Sequence, residues 1–159
     1  MKKMLYVLTL LFVSACGFTP VFSDNDTDIY VPVISGINGI ELRNALNVKF
    51  GGQKSSDAPY TLVVSLKNPE TKYKALESSG AATWQQINLR ANYVLKYHDK
   101  QIARGEEVAS ESYTFVRYLV AANASYNNAV SNTITLLADK IGTRAIADVY
   151  KHKKQLNNQ

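Results

Sequence analysis

Trp84-Gln85-Gln86-Ile87-Asn88-Leu89-Arg90-Ala91-Asn92-Tyr93-Val94-Leu95-Lys96-Tyr97 alternates almost without a break. Ile87, Leu89, Ala91, Tyr93, Leu95 and Tyr97 fall on one side, and Asn88, Arg90, Asn92, Val94 and Lys96 on the other. A period of two sustained this long predicts a β-strand with one face buried and the other wet. His98-Asp99-Lys100 then turns the chain in a short hairpin. The return strand is expected from Gln101 to about Val116, with a bulge or kink at Gly105-Glu106. Tyr113, Phe115 and Val108 supply its apolar share.

Working outward, Tyr60, Leu62, Val64 and Leu66 alternate with Thr61, Val63, Ser65 and Lys67, a second half-buried strand stopped by Asn68-Pro69. Glu70 to Thr83 shows no clear period and reads as a loop or a frayed strand extension. Ile29-Tyr30-Val31-Pro32-Val33 is β-rich, but Pro32 cannot donate to a ladder, which predicts an edge strand. Gly39 to Phe50 has helical spacing, with Asn38 as N-cap, Glu41 three residues on and Gly51-Gly52 closing it. Leu42, Ala45, Leu46 and Phe50 share its apolar face; Arg43, Asn44, Asn47 and Lys49 lie opposite. Tyr126 to Lys153 is a longer helix, its stripe running Val130, Ile134, Leu137, Ile141, Ala145, Val149 and widened by Leu136, Ala138 and Ile146. Tyr118 to Ser125 reads as a connection. The expected fold is α+β, a two-layer sandwich of two helices packed on a mostly antiparallel four-stranded sheet.

The amino terminus carries a different signal. Lys2 and Lys3 precede an apolar run from Leu5 to Val13, and Val13-Ser14-Ala15 leads into Cys16, the single cysteine. That is the plan of a secretory signal peptide with cysteine directly after the small residues, the lipobox pattern of bacterial lipoproteins. The run is far shorter than the roughly 20 residues of a spanning helix. The expected division is a leader over residues 1–15, a lipidated tether over 16–28, one domain over 29–154 and a frayed tail over 155–159. Cys16 is the expected lipidation site. One acyl chain holds a membrane only marginally, so two or more are needed for a lasting anchor. Gly17 in place of aspartate after the cysteine favours the outer membrane, with the body in the periplasm.

Loss of residues 1–15 from 159 leaves 144, enough for one domain with its own core. Of 18 Lys and Arg against 13 Asp and Glu, the leader takes Lys2 and Lys3, so 16 basic residues face 13 acidic. Such mild basicity is not the footprint of a nucleic-acid binder. With Cys16 lipidated, no disulfide is available within the domain.

Catalytic and metal constellations are missing from the sequence. His98 and His152 have no partners at ligand spacing, and Ser55-Ser56-Asp57 and Ser78-Ser79-Gly80 lack a nucleophile elbow. Glu106, Glu107 and Glu111 read as a solvated strand face rather than a glycosidase pair. The chain is expected to be no enzyme and to carry no cofactor beyond the covalent lipid on Cys16. Two features suit binding. Arg90, Lys96 and Lys100, with Arg104 and Arg117 nearby, are candidates for phosphate or carboxylate contact; the competing reading is a solvated sheet face. Five tyrosines, Tyr60, Tyr93, Tyr97, Tyr113 and Tyr118, suit either a contact surface or the rim of a core.

Cys16-Gly17-Phe18-Thr19-Pro20-Val21-Phe22 resembles the start of the lipopolysaccharide-assembly lipoproteins, the LptE family, in its α-proteobacterial branch. The early helix over Glu41–Phe50, the Tyr-rich strands and the amphipathic segment from Ala129 to Val149 are similar in order and spacing. The resemblance implies a lipoprotein of the outer membrane that sits inside the LptD β-barrel as plug and assembly factor. It also implies binding of lipopolysaccharide on its way to the outer leaflet. No lipopolysaccharide-contacting motif of that family is matched here, so Arg90, Lys96 and Lys100 rest on charge alone. An auxiliary lipoprotein of an ABC-type lipid transporter is the alternative, and a periplasmic hydrolase a weaker one.

Overall fold

The computed structural model describes residues 27–76, 82–114 and 118–158. The expected leader, Cys16, nearly all of the expected tether, Ser78-Ser79-Gly80 and the end of the expected return strand with Phe115, Val116 and Arg117 lie outside the described residues. In chain order the elements are β1 (Ile29–Tyr30), α1 (Ile37–Lys49), β2 (Tyr60–Leu66), β3 (Glu70–Leu76), β4 (Ala82–Tyr97), β5 (Lys100–Thr114) and α2 (Leu119–Leu156).

β4 is the spine of the sheet. β5 flanks it antiparallel from Trp84↔Thr114 to Tyr97↔Lys100. Along its other side β2 pairs with Ala91–Tyr97 and β3 with Ala82–Asn88, both antiparallel. β2 and β3 therefore lie end to end. The Lys67 N–H still donates to the Arg90 carbonyl at 2.9 Å, but Pro69 has no N–H and the ladder lapses before β3 begins. β1 adds to β2 in parallel through Ile29↔Tyr60.

The sheet thus has five strands of mixed sense rather than four mostly antiparallel ones. The strand missed in the sequence is β3. Glu70 to Ala75 is exposed throughout, so no buried face imposes alternation on it. Several boundaries shift as well. α2 begins at Leu119, where a connection was expected, and stays helical to Leu156. α1 begins at Ile37 after Gly36, without a side-chain cap; Glu41 accepts instead from the Ser131 hydroxyl of α2.

Burial follows the predicted faces with instructive exceptions. Ile87, Leu89, Ala91, Tyr93 and Leu95 of β4 join Tyr60, Leu62 and Val64 of β2 in one core. Leu42, Leu46 and Phe50 from the first helical segment and Val130, Ile134, Leu137, Ile141, Ala145 and Val149 from α2 close it from a single side. Leu136 is instead exposed, and Asn47 is buried. Val108 points to the open face of the sheet, and its neighbour Ala109 fills the core position. Gly51 and Gly52 end α1 at φ 80° and 119°, as the sequence predicts. His98 and Asp99 both take positive φ in a two-residue turn between β4 and β5, whose twist suits the hairpin.

The irregularity in the hairpin falls between Leu95 and Lys96, not at Gly105. Gly105 pairs with Tyr93 in regular register, and the tyrosine ring lies over it. A Cβ at residue 105 would sit 2.6 Å from the Tyr93 hydroxyl and 2.7 Å from Cζ. The glycine makes room for a buried ring.

Candidate functional site

Because successive strand residues point to opposite faces, β4 sorts its own side chains. Odd positions face the helices; Trp84, Gln86, Asn88, Arg90, Asn92, Val94 and Lys96 line the open face. Arg90 sits there in an ion pair with Glu106 of β5. Lys96 is on the same face, six residues and about 20 Å further along. Lys100 pairs in register with Tyr97 and so belongs to the opposite side of the hairpin tip. The three predicted cations do not converge on one point.

Arg90 has company of another kind. Where β2 gives way to β3, the break opens a cleft of about 410 Å³ lined by Lys67, Asn68, Pro69 and Glu70, with Asn88, Arg90 and Val108 as its wall on β4 and β5. The Asn88 side-chain N–H group there is buried without a hydrogen-bond partner. A buried amide donor beside two cations suits an oxyanion, while Glu70 in the same lining and Glu106, which already pairs with Arg90, oppose one. Of this cleft, sequence reasoning named only Arg90; the lapse at Asn68-Pro69 was the available signal for the rest.

The adjacent acids separate. Glu106 faces solvent and holds Arg90, whereas Glu107 is buried on the helix side, its Oε1 2.5 Å from Arg144 Nε. That contact is one of charge rather than an aligned hydrogen bond, for the same oxygen lacks a well-directed donor. The two histidines also part. His98 is exposed in the turn, and half-buried His152 meets the Tyr60 hydroxyl at 3.1 Å through Nδ1. Among the described residues no group of three or more His, Cys, Asp and Glu side chains gathers as a metal site.

Four of the five tyrosines belong to the core or its rim. Tyr60 and Tyr93 are buried and Tyr97 and Tyr113 half-buried, while Tyr118 is exposed. Burial pushes the hydroxyl pKa values of Tyr60, Tyr93 and Tyr113 above the ordinary value near 10. For Tyr93 the carboxylates of Asp148 and Glu107 add to this against Arg144.

The ends of the sheet differ sharply. Around the start of β4 and α2, Tyr73, Trp84, Tyr118, Leu119 and Val120 are all at least half exposed. At the other end, the β4–β5 turn and the last turns of α2 carry lysines. α1 adds a third surface, with Ile37, Ile40 and Val48 turned outward. Solvent-exposed apolar side chains grouped like this mark contact surfaces more often than chance scatter does. No described helix is long and apolar enough to cross a membrane.

No family model matches the sequence, and a search of curated proteins returns no match. Solved structures do match. A candidate lipoprotein of Caulobacter crescentus superposes with a TM-score of 0.64 at 18% identity, over 80% of this chain and 93% of that one. Rare lipoprotein B of Shewanella oneidensis gives 0.58 at 12% identity, over 81% and 98%. A minor lipoprotein of Acinetobacter baumannii gives 0.54 at 17% identity, over 76% and 89%. This chain has their fold. At such identities the likeness is one of architecture, two helices over a long-hairpin sheet, and it spans most of each neighbour.

Proposed function

We propose that this protein is a non-catalytic, lipid-anchored outer-membrane lipoprotein of LptE type. In this reading it faces the periplasm, pairs with an LptD-type β-barrel as plug and assembly factor, and helps deliver lipopolysaccharide to the outer leaflet. The observation that carries the proposal is the junction at Cys16: a lipobox continuing into Gly17-Phe18-Thr19-Pro20-Val21-Phe22. The fold supports it, since the neighbours that share it are described as lipoproteins. Exposed apolar side chains on α1 and at the Trp84 end support a protein partner of some size. Of the three predicted cations, Arg90 remains the candidate lipopolysaccharide contact, because it alone lines a cleft, one shared by Lys67, the unpaired Asn88 amide and the Glu70 carboxylate. A phosphate there would compete with Glu106 for its guanidinium.

Affinity purification of C-terminally tagged protein from detergent-solubilised membranes, followed by mass spectrometry, tests the partner. A near-stoichiometric LptD-type barrel is the expected result. Recovery of an inner-membrane transporter would move the assignment to the auxiliary lipoproteins of lipid transporters, and recovery of no partner would sink the plug reading.

A further inference from the structure

The described chain enters the fold at one end of the sheet. The Thr27 hydroxyl donates to the Phe50 carbonyl at 3.4 Å, the Tyr60 N–H donates to the Asp28 carbonyl at 3.2 Å, and Ile29 pairs with Tyr60. Tyr60 in turn pairs with Tyr97, and the Tyr97 ring lies 4.6 Å from that of His152. The entry point, the β4–β5 turn and the end of α2 therefore share one end of the molecule. Lys100 on the helix side of the hairpin, Lys96 on its open side, and Lys151, Lys153 and Lys154 of the helix all belong to this end; all but Lys96 are exposed. Among the described residues none of the five makes an ion pair. The acids at this end are Asp28, Asp57, Asp99 and, one helical turn before Lys151, Asp148. A cation in the last turn of a helix is accounted for by the helix dipole. Lysines on the neighbouring hairpin are not.

We propose that this basic end is a bilayer-facing surface, resting on the anionic phospholipid headgroups of the leaflet that holds the Cys16 lipid. The proposal rests on the reading of Cys16 as lipidated. Residues 16 to 27 span at most about 40 Å when fully extended. The entry end therefore stays within that reach of the anchoring leaflet. The Trp84 end lies about 43 Å further along β4. Each lysine within a Debye length of an anionic leaflet strengthens partitioning about fivefold. Five on one end set which part of the fold settles beside the anchor.

The test uses the mature chain, residues 16–159 with Cys16→Ser, sedimented with vesicles of phosphatidylcholine alone or mixed with phosphatidylglycerol. Binding is expected only with phosphatidylglycerol and is expected to weaken with salt. Charge reversal at Lys151, Lys153 and Lys154 to Glu should cut partitioning about 100-fold or more, from the same per-lysine contribution. The hairpin variant Lys96→Glu with Lys100→Glu should act in the same direction, which guards against a frayed helix end. Reversal of Lys72 and Lys74 on β3 should leave partitioning unchanged. Absence of binding, indifference to salt, or equal loss in the β3 variant overturns the proposal. So does a preference for lipopolysaccharide aggregates abolished by the same reversals, which would make this end a cargo site. Mass spectrometry of the amino terminus of the full chain reads the anchor separately. A lipidated Cys16 without phosphatidylglycerol binding sinks the surface alone; an unmodified Cys16 sinks the anchor.

Discussion

Replacing Gly105 by alanine tests the packing of the central hairpin at its tightest point. The added Cβ would lie 2.6, 2.7 and 2.8 Å from the hydroxyl, Cζ and Cε1 of Tyr93. Ordinary contact begins about 1 Å further out. The ring cannot simply swing away, because Tyr93 is only 4% exposed and belongs to the core shared with α2. Overpacking of this kind costs about 1–3 kcal/mol. The loss of backbone freedom in the unfolded chain returns about 0.4–1 kcal/mol to any Gly→Ala change at an unstrained position. The residue has no positive φ to oppose it. A net loss of about 1–2 kcal/mol remains, equivalent to about 2–8 °C in Tm for a chain of this size.

The assay is thermal unfolding of residues 16–159 with Cys16→Ser by circular dichroism, with Gly105→Ala, Tyr93→Leu and the double variant compared. Removing the ring removes the obstacle, so the double variant should be more stable than the two single losses predict, by about 1 kcal/mol. A Gly105→Ala variant as stable as its parent, or two losses that simply add, would refute the claim that this glycine seats a ring. Losses that simply add would also favour the bulge expected from the sequence over the regular register.

Two further outcomes follow from burial. Tyr60, Tyr93 and Tyr113 have folded-state pKa values raised above the unfolded value near 10, so the fold favours their neutral forms; their contribution is complete below pH 10 and lost as the pH climbs through and beyond it. Urea midpoints should accordingly fall between pH 8 and pH 11, less steeply in Tyr93→Phe, and a flat profile would contradict the assignment. Leu137→Ala, at a position with no exposure, should cost about 2–5 kcal/mol, whereas Leu119→Ala, 76% exposed, should stay within about 0.5 kcal/mol; similar urea midpoints for the two would undo the description of the core.

How far the sequence could be read depended on whether burial left a mark in it. β2, β4 and the buried stripe of α2 each press one face against a core, and their periods of two and of roughly 3.6 follow from that. β3 has no such pressure, since Glu70–Ala75 is held by backbone pairing to β4 with its side chains in solvent, and a strand of this kind has no alternation to detect. The first turns of α2 are invisible for the same reason, with Tyr118, Leu119 and Val120 exposed. Gly105 misled in a different way. A glycine within a strand signals a bulge or a close approach with equal force, and only the position of Tyr93 across the ladder separates them. The basic trio failed as a cluster because sequence distance along a strand is real distance, and six residues are about 20 Å.

The ends of the sheet bear on orientation. With Cys16 lipidated as proposed, the reach of about 40 Å over residues 16–27 would by itself allow a fold with a spine of about 50 Å to stand on the membrane or lie along it. Lying flat would bring the Trp84 end and its exposed tyrosines toward the headgroups. Standing on the lysine end leaves those apolar side chains, and the outward face of α1, available to a protein. The two arrangements make opposite demands on Trp84, the only tryptophan in the chain. In vesicles holding the lipidated protein, brominated lipids should leave its fluorescence unquenched if the lysine end is down. Strong quenching would mean that the apolar end, not the charged one, meets the bilayer, and that a partner must be sought on the open face of the sheet.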